Sequence, residues 1–191
     1  MDRTHFHFIL VFCWTSLMIC GITSQQCGDD TYSIYQMMLK GHTFKSLKVR
    51  PGSSDCRQAC FKDIRCHSYN VIISKSICEL NNRTKEAKPE DFIKDKDRYY
   101  MQKGSERVPL GFIPELPADS CKEIKGSEGR QVASDNYWLR SGKPVIARCN
   151  MTTEVADFCI KHCCKNNPTC VNRKLNYICG CNTLRWSGRY C

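Results

Sequence analysis

The chain has 191 residues, 16 of them cysteine, and carries 29 Lys plus Arg against 19 Asp plus Glu for a net charge of +10. This composition excludes collagen, a coiled coil and a largely disordered chain. It leaves one or two domains, or several small modules that need cross-links to fold.

Residues 8–20, FILVFCWTSLMIC, are nearly all apolar, follow Arg3 and precede the small residues GITS. That order predicts a signal peptide over residues 1–24, cleaved after Ser24. The run of 13 residues is shorter than the roughly 20 that a spanning helix needs. The mature protein is then expected outside the cell, without a stable membrane span. Cys13 and Cys20 leave with the leader and fourteen cysteines remain. In an oxidising compartment these should mostly pair, each bridge contributing about 2–4 kcal/mol. A zinc set built on His162, Cys163, Cys164, Cys179 and Cys181 is the competing reading, and the leader argues against it.

Cysteine spacing and charge divide the rest in the same places. Residues 27–103 hold five cysteines, and residues 25–104 carry 15 basic and 10 acidic side chains. Residues 104–118, with Pro109, Pro114 and Pro117, read as an extended linker. Residues 119–152 contain Cys121 and Cys149, and residues 105–158 are close to neutral. Residues 155–191 hold seven cysteines, and from residue 159 onward there are six cations and no acid.

In the first module, Ser53, Ser54 and Asp55 are N-cap candidates for a helix over 54–63. Such a helix sets Cys56 and Cys60 on one face. SYNVIIS (68–74) reads as a strand, and so does Ile77–Leu80. Residues 44–49 and 98–101 give weaker strand signals. The pattern Cys56, Cys60, Cys66, a strand, then Cys78 and Leu80 resembles the PAN or apple module over residues 40–102. The resemblance implies bridges Cys56–Cys78 and Cys60–Cys66 around one helix on a small curved antiparallel sheet, and a protein- or carbohydrate-binding role. Lys45, Lys48, Arg50, Arg57 and Lys62 cluster near the helix start, but acids interleave from Asp55 to Asp97, so this reads as a solvated face rather than a polyanion site.

The middle segment has a turn-rich start, then NYWL and PVIARC as strands. Cys121, Tyr137, Trp138, Cys149 and Met151 stand where the opening of a fibrinogen-like domain has equivalents. This resemblance implies a Cys121–Cys149 bridge in a short β-rich segment. It carries no binding residue, since Asn150 replaces the family's Asp and the bulk of that fold is missing.

From Cys159 the spacing C-x4-C-x5-C-x8-C-x-C-x9-C, with Tyr177 and Gly188 as markers, resembles an all-β EGF-like module. The resemblance implies Cys159–Cys170, Cys164–Cys179 and Cys181–Cys191. Spacing alone permits 15 connectivities for six cysteines, and Cys163 competes with Cys164. Cys27 and Cys163 stay unassigned: they pair with each other, with another chain in a disulfide-linked dimer, or one is free. The family pattern also marks Asn172 for β-hydroxylation. Calcium often accompanies that mark, but Val155 and Phe158 hold two of the expected ligand positions. A basic module also disfavours a dication, so no cofactor is expected.

Asn82 and Asn150 open glycosylation sequons. No HExxH, GxSxG or phosphate loop is present, and no enzyme is expected. The leading reading is a secreted, non-enzymatic binding or adhesion protein with a protein or sulfated-glycan partner. Nucleic acid suits the charge but not the compartment. The polyanion candidates are Lys161, Lys165, Arg173, Lys174, Arg185 and Arg189. A diffusible EGF-like receptor ligand is the runner-up. A truncated relative of a longer matrix adhesion protein is the third, since the sequence stops on Cys191.

Overall fold

Five antiparallel strands form the first sheet, in the order β1-β5-β3-β4-β2. They are β1 (Ser33–Leu39), β2 (Thr43–Lys48), β3 (Ser68–Ile72), β4 (Ile77–Asn81) and β5 (Phe92–Gln102). The computed structural model describes residues 33–104, 106–160, 164, 169–173 and 176–180, all within the unit Thr31–Cys191. The expected leader, Cys27, Cys163, Cys181 and Cys191 lie outside the described residues, as do Lys161, Lys165, Lys174, Arg185 and Arg189.

Helix α1 (Asp55–Lys62) packs on β3 and β4. Cys56 and Cys60, one turn apart, both point into the sheet and are buried. Cys56 is bridged to Cys78 on β4, and Cys60 to Cys66 just before β3. No side chain caps the N-terminus of α1. Its C-terminus is closed from outside instead. Lys103 Nζ donates to the carbonyls of Cys60, Phe61 and Asp63 at 3.3–3.5 Å, a cation on the negative end of the helix.

The other face of this sheet is polar yet covered. Asn70 is fully buried on β3. Its Nδ2 donates to Leu39 O, and its Oδ1 accepts from Leu39 N, so one carboxamide satisfies both backbone groups of that residue. Between the pairs Tyr35↔Tyr99 and Met37↔Lys94, the single residue Gln36 (φ 57°) stands opposite Asp95–Arg98. The bulge reverses which face the alternate residues of β1 occupy.

A second sheet runs β6-β7-β8: β6 (Asn136–Ser141), β7 (Lys143–Asn150) and β8 (Val155–Asp157). Helix α2 (Cys121–Glu128) lies beside it and is tied to β7 by Cys121–Cys149. The expected β-rich segment therefore also contains a helix. Ser120 caps α2, with its Oγ accepting from Glu123 N at 3.1 Å. The Glu123 carboxylate reaches back to Asp119 N. Gly129, at φ 87°, ends the helix.

The expected extended linker is corrected as well. Leu110, Leu116 and Ala118 are fully buried in the core formed with Ile124, Leu139 and Ala147. Ala118 makes a parallel bridge to Leu139, and Leu116 N donates to Ile113 O within a turn. The prolines do fix turns here, but the apolar residues between them gain more from burial than from staying in water.

This second region is bolted to the first. Arg83 is 1% exposed; its Nε donates to Glu123 Oε1 at 2.7 Å and its Nη2 to Pro117 O at 2.7 Å. Lys88 Nζ lies 2.9 Å from Asp119 and 3.3 Å from Glu123. Buried His67 meets Val108 O through Nε2 at 2.8 Å, and Arg107, held by Glu128, reaches His67 Nδ1 at 3.3 Å. A hairpin of β9 (Thr169–Arg173) and β10 (Asn176–Gly180) completes the described chain, with Cys159–Cys170 and Cys164–Cys179 as bridges.

Candidate functional site

One row of cross-strand partners crosses the whole first sheet: Tyr35↔Tyr99↔Val71↔Cys78↔Leu47. Directly opposed residues share a face, so all five point toward the side of α1. The helix covers the Val71 and Cys78 end, where Cys56 anchors it. The β5 and β1 end stays open: Tyr99 is half-buried and Tyr35 is 65% exposed. Ile73, at the end of β3, is 43% exposed. Beside Tyr99 and Ile73 a small cavity of about 110 Å³ opens against the loop Val49–Ser53. On the helix rim, Phe61 is partly exposed, with the Arg57 guanidinium 5.3 Å and Lys103 Nζ 5.5 Å from its ring centre.

Two of the cations near this face are paired with carboxylates. Arg50 is held by Asp55 through Nε and Nη2 at 3.2 and 3.3 Å. That pairing, first through its hydrogen bonds, keeps the Asp55 carboxyl below the usual carboxylate range. Asp63 is lowered likewise by Arg65. Lys45 and Lys62 border a shallow groove that also contains Asp55 and Asp63. Asp55 and Asp63 thus answer Arg50 and Arg65, while Lys45, Lys48, Arg57 and Lys62 add positive charge around the helix. Burial pushes the Tyr69 phenol up to about 12 and raises that of Tyr99. Both are neutral phenols at physiological pH. The face can stack and donate hydrogen bonds.

The remaining sequence candidates fall elsewhere. Asn82 is half-buried in the turn after β4, with Arg83 and Thr84 buried beside it. Asn150 is exposed at the end of β7, and its Oδ1 accepts from Thr152 N and Thr153 N. Asn172, the hydroxylation candidate, is a strap: its Oδ1 accepts from Phe158 N and its Nδ2 donates to Asp157 Oδ1, both at 2.7 Å. Of the six polyanion candidates only Arg173 is described, and it is exposed. Among the described residues no three His, Cys, Asp or Glu side chains gather into a metal donor set. No helix among them is long and apolar enough to cross a membrane.

The sequence reading missed Tyr35 and Tyr99 as a pair. Tyr99 lay within a weak strand signal. Tyr35 lay outside any expected element, although SIYQMML contains β-favouring Ile34 and Tyr35.

Comparison with known proteins bears on this region. A PAN domain is found at residues 27–105. PAN domains are protein- or carbohydrate-binding modules of extracellular proteins, not catalytic ones. No curated protein matches the chain. The Tyr35–Tyr99 face therefore belongs to a module whose general work is binding, and the five disulfides among the described residues fit an extracellular setting.

Proposed function

We propose that this chain is a secreted, non-enzymatic binding protein whose PAN domain grips an extracellular partner on the open Tyr35–Tyr99 end of its sheet. The observation that carries this reading is the uncovered aromatic row within a binding module. Tyrosines are enriched among the few residues that dominate binding energy, because they bury a large rigid surface and keep one polar end. The exposed aromatic row favours a partner recognised by shape and stacking: a protein surface or an uncharged glycan.

The test is a screen of the full oxidised chain on extracellular-protein and glycan arrays, followed by affinity measurement on the strongest hit. Tyr35→Ser should weaken that hit by tenfold or more without moving the thermal midpoint, and 0.15 to 0.5 M salt should change the affinity little. An unaffected Kd for the variant would place the binding face elsewhere.

A second reading rests on charge. Residues 159–191 carry six cations and no acid, which supports a sulfated-glycan partner on the EGF-like segment. Heparin retention that falls steeply with salt and is indifferent to Tyr35→Ser favours this reading over the first.

A further inference from the structure

A cavity of about 600 Å³ lies at the meeting of β8, the start of α2 and strand β9, remote from the Tyr35–Tyr99 row. Its size is that of a site for a small organic ligand. Leu139, Ala156 and Phe158 line it with apolar surface, and Val155, 62% exposed, stands at the rim.

The charges around it are unequal in a telling way. Two carboxylates border the cavity, and both are already answered. Asp119 has Lys88 at 2.9 Å, Arg140 at 3.3 Å and Arg83 at 3.7 Å. These cations hold its carboxyl below the usual range against the opposing effect of burial. Glu154 has Lys125 at 3.1 Å. The Asn172 carboxamide is spent at both ends on Phe158 N and Asp157. The Arg173 side chain is exposed, and among the described residues it has no hydrogen bond or ion pair. Among the described residues lining this apolar-floored cavity it is the one charge without such a partner.

We propose that this cavity binds an amphipathic organic anion, its apolar body against Leu139, Ala156 and Phe158 and its carboxylate or sulfonate toward Arg173. A neutral ligand would gain no attraction from the guanidinium. A cation would face it directly. This inference is independent of the PAN-domain reading.

The probe is 8-anilinonaphthalene-1-sulfonate, titrated into the full chain with its disulfides intact. Saturable fluorescence with one probe per chain is expected. Arg173→Glu should weaken it about fivefold or more. Val155→Asp, which adds an anion at an exposed rim position, should weaken it comparably. N-phenyl-1-naphthylamine, the same body without the sulfonate, should bind less tightly than the sulfonate. Tyr35→Ser, on the PAN face, should leave the titration unchanged. The proposal is overturned if the wild-type chain gives no saturable signal, if both rim variants bind as tightly as wild type, if the neutral probe binds equally well, or if Tyr35→Ser removes the signal.

Discussion

The two regions of the fold are held together in different ways. In the PAN region, the buried apolar cluster under α1 has seven members and four are half-cystines: Cys56, Cys60, Cys66 and Cys78, with Tyr69, Val71 and Leu80. The second cluster has twelve members, eleven of them after residue 105 and one, Ala87, from the PAN region, and only Cys121 and Cys149 are half-cystines. The first region replaces missing apolar area with covalent bonds, as small extracellular modules do. The second has an ordinary core, to which Leu110, Leu116 and Ala118 of the expected linker contribute. Covalent staples thus account for the shape of the first region and only partly for that of the second.

The largest effect is expected where the two regions meet. Arg83 and Glu123 are 1% and 3% exposed at their side chains. Removing one partner leaves a buried charge unanswered, which costs about 3–5 kcal/mol. Arg83→Ala should lower stability by about 4 kcal/mol in urea denaturation, short of the upper end because Lys88 also reaches Glu123. The double variant with Glu123→Ala should recover part of the loss. A cost below about 1 kcal/mol would mean that the regions fold independently and that the junction is incidental.

Next come the bridges, which test the comparison directly. Cys56–Cys78 and Cys121–Cys149 close segments of similar length, with sequence separations of 22 and 28. Chain entropy alone makes each worth about 3.5 kcal/mol. The native consequences should differ. Replacing Cys56 and Cys78 by Ala should abolish hydrogen-exchange protection across β3 and β4. Replacing Cys121 and Cys149 should lower global stability yet leave slow exchange in β6 and β7, because Leu110, Leu116, Ile124 and Leu139 still pack there. Equal loss of protection in both variants would remove the distinction.

A smaller effect sharpens how tightly the regions fit. Gly126 lies inside α2, where Ala ordinarily stabilises by up to about 1 kcal/mol. Here a Cβ would meet Glu86 O, a backbone atom of the PAN region, at 2.8 Å. Gly126→Ala should therefore invert the usual sign and destabilise by about 2–3 kcal/mol, read as a shift of the urea midpoint. A stabilised variant would show that α2 can move off the Glu86 turn.

Much of the PAN region was legible because its cysteines lie on period: two on one helical face, one on the following strand pair. Helix α1 and strands β3 and β4 followed from spacing and β-branched content. Strand β1 was not legible, since the bulge at Gln36 puts Tyr35 and Leu39 on opposite faces and breaks the alternation that a strand reading seeks. Helix α2 carries a readable signal, since Ser120 and Glu123 form the S-x-x-E start signature on either side of Cys121. The burial of Leu110, Leu116 and Ala118 could not be read locally, because their partners lie on α2, β6 and β7. For the candidate face, each tyrosine was visible in the sequence. Their adjacency depends on the register of β1 against β5, which is a tertiary fact.

The smallest predicted effect concerns pH and again separates the junction from the surface. His67 is fully buried between the regions, and burial, then the nearby Arg107 cation, push its imidazole down to about 3. Its Nε2 hydrogen must be donated to Val108 O, which leaves Nδ1 to accept from Arg107 Nη1 at 3.3 Å. In the unfolded chain the ordinary value of about 6.5 applies. At pH 7 and above both states are neutral and folding loses nothing. Below about 6.5 the unfolded chain binds a proton that the folded chain refuses, so stability falls as pH falls, by about 1.4 kcal/mol per pH unit. From pH 6.5 to 5 this amounts to about 2 kcal/mol, in a window above the range of the lowered carboxylates Asp63 and Asp119. His67→Gln, which keeps a donor for Val108 O but cannot titrate, should flatten the wild-type loss between pH 7 and pH 5 in paired urea denaturations. An equal pH slope in the variant would show that water or a proton reaches the junction, and that the two regions part more readily than their buried contacts imply.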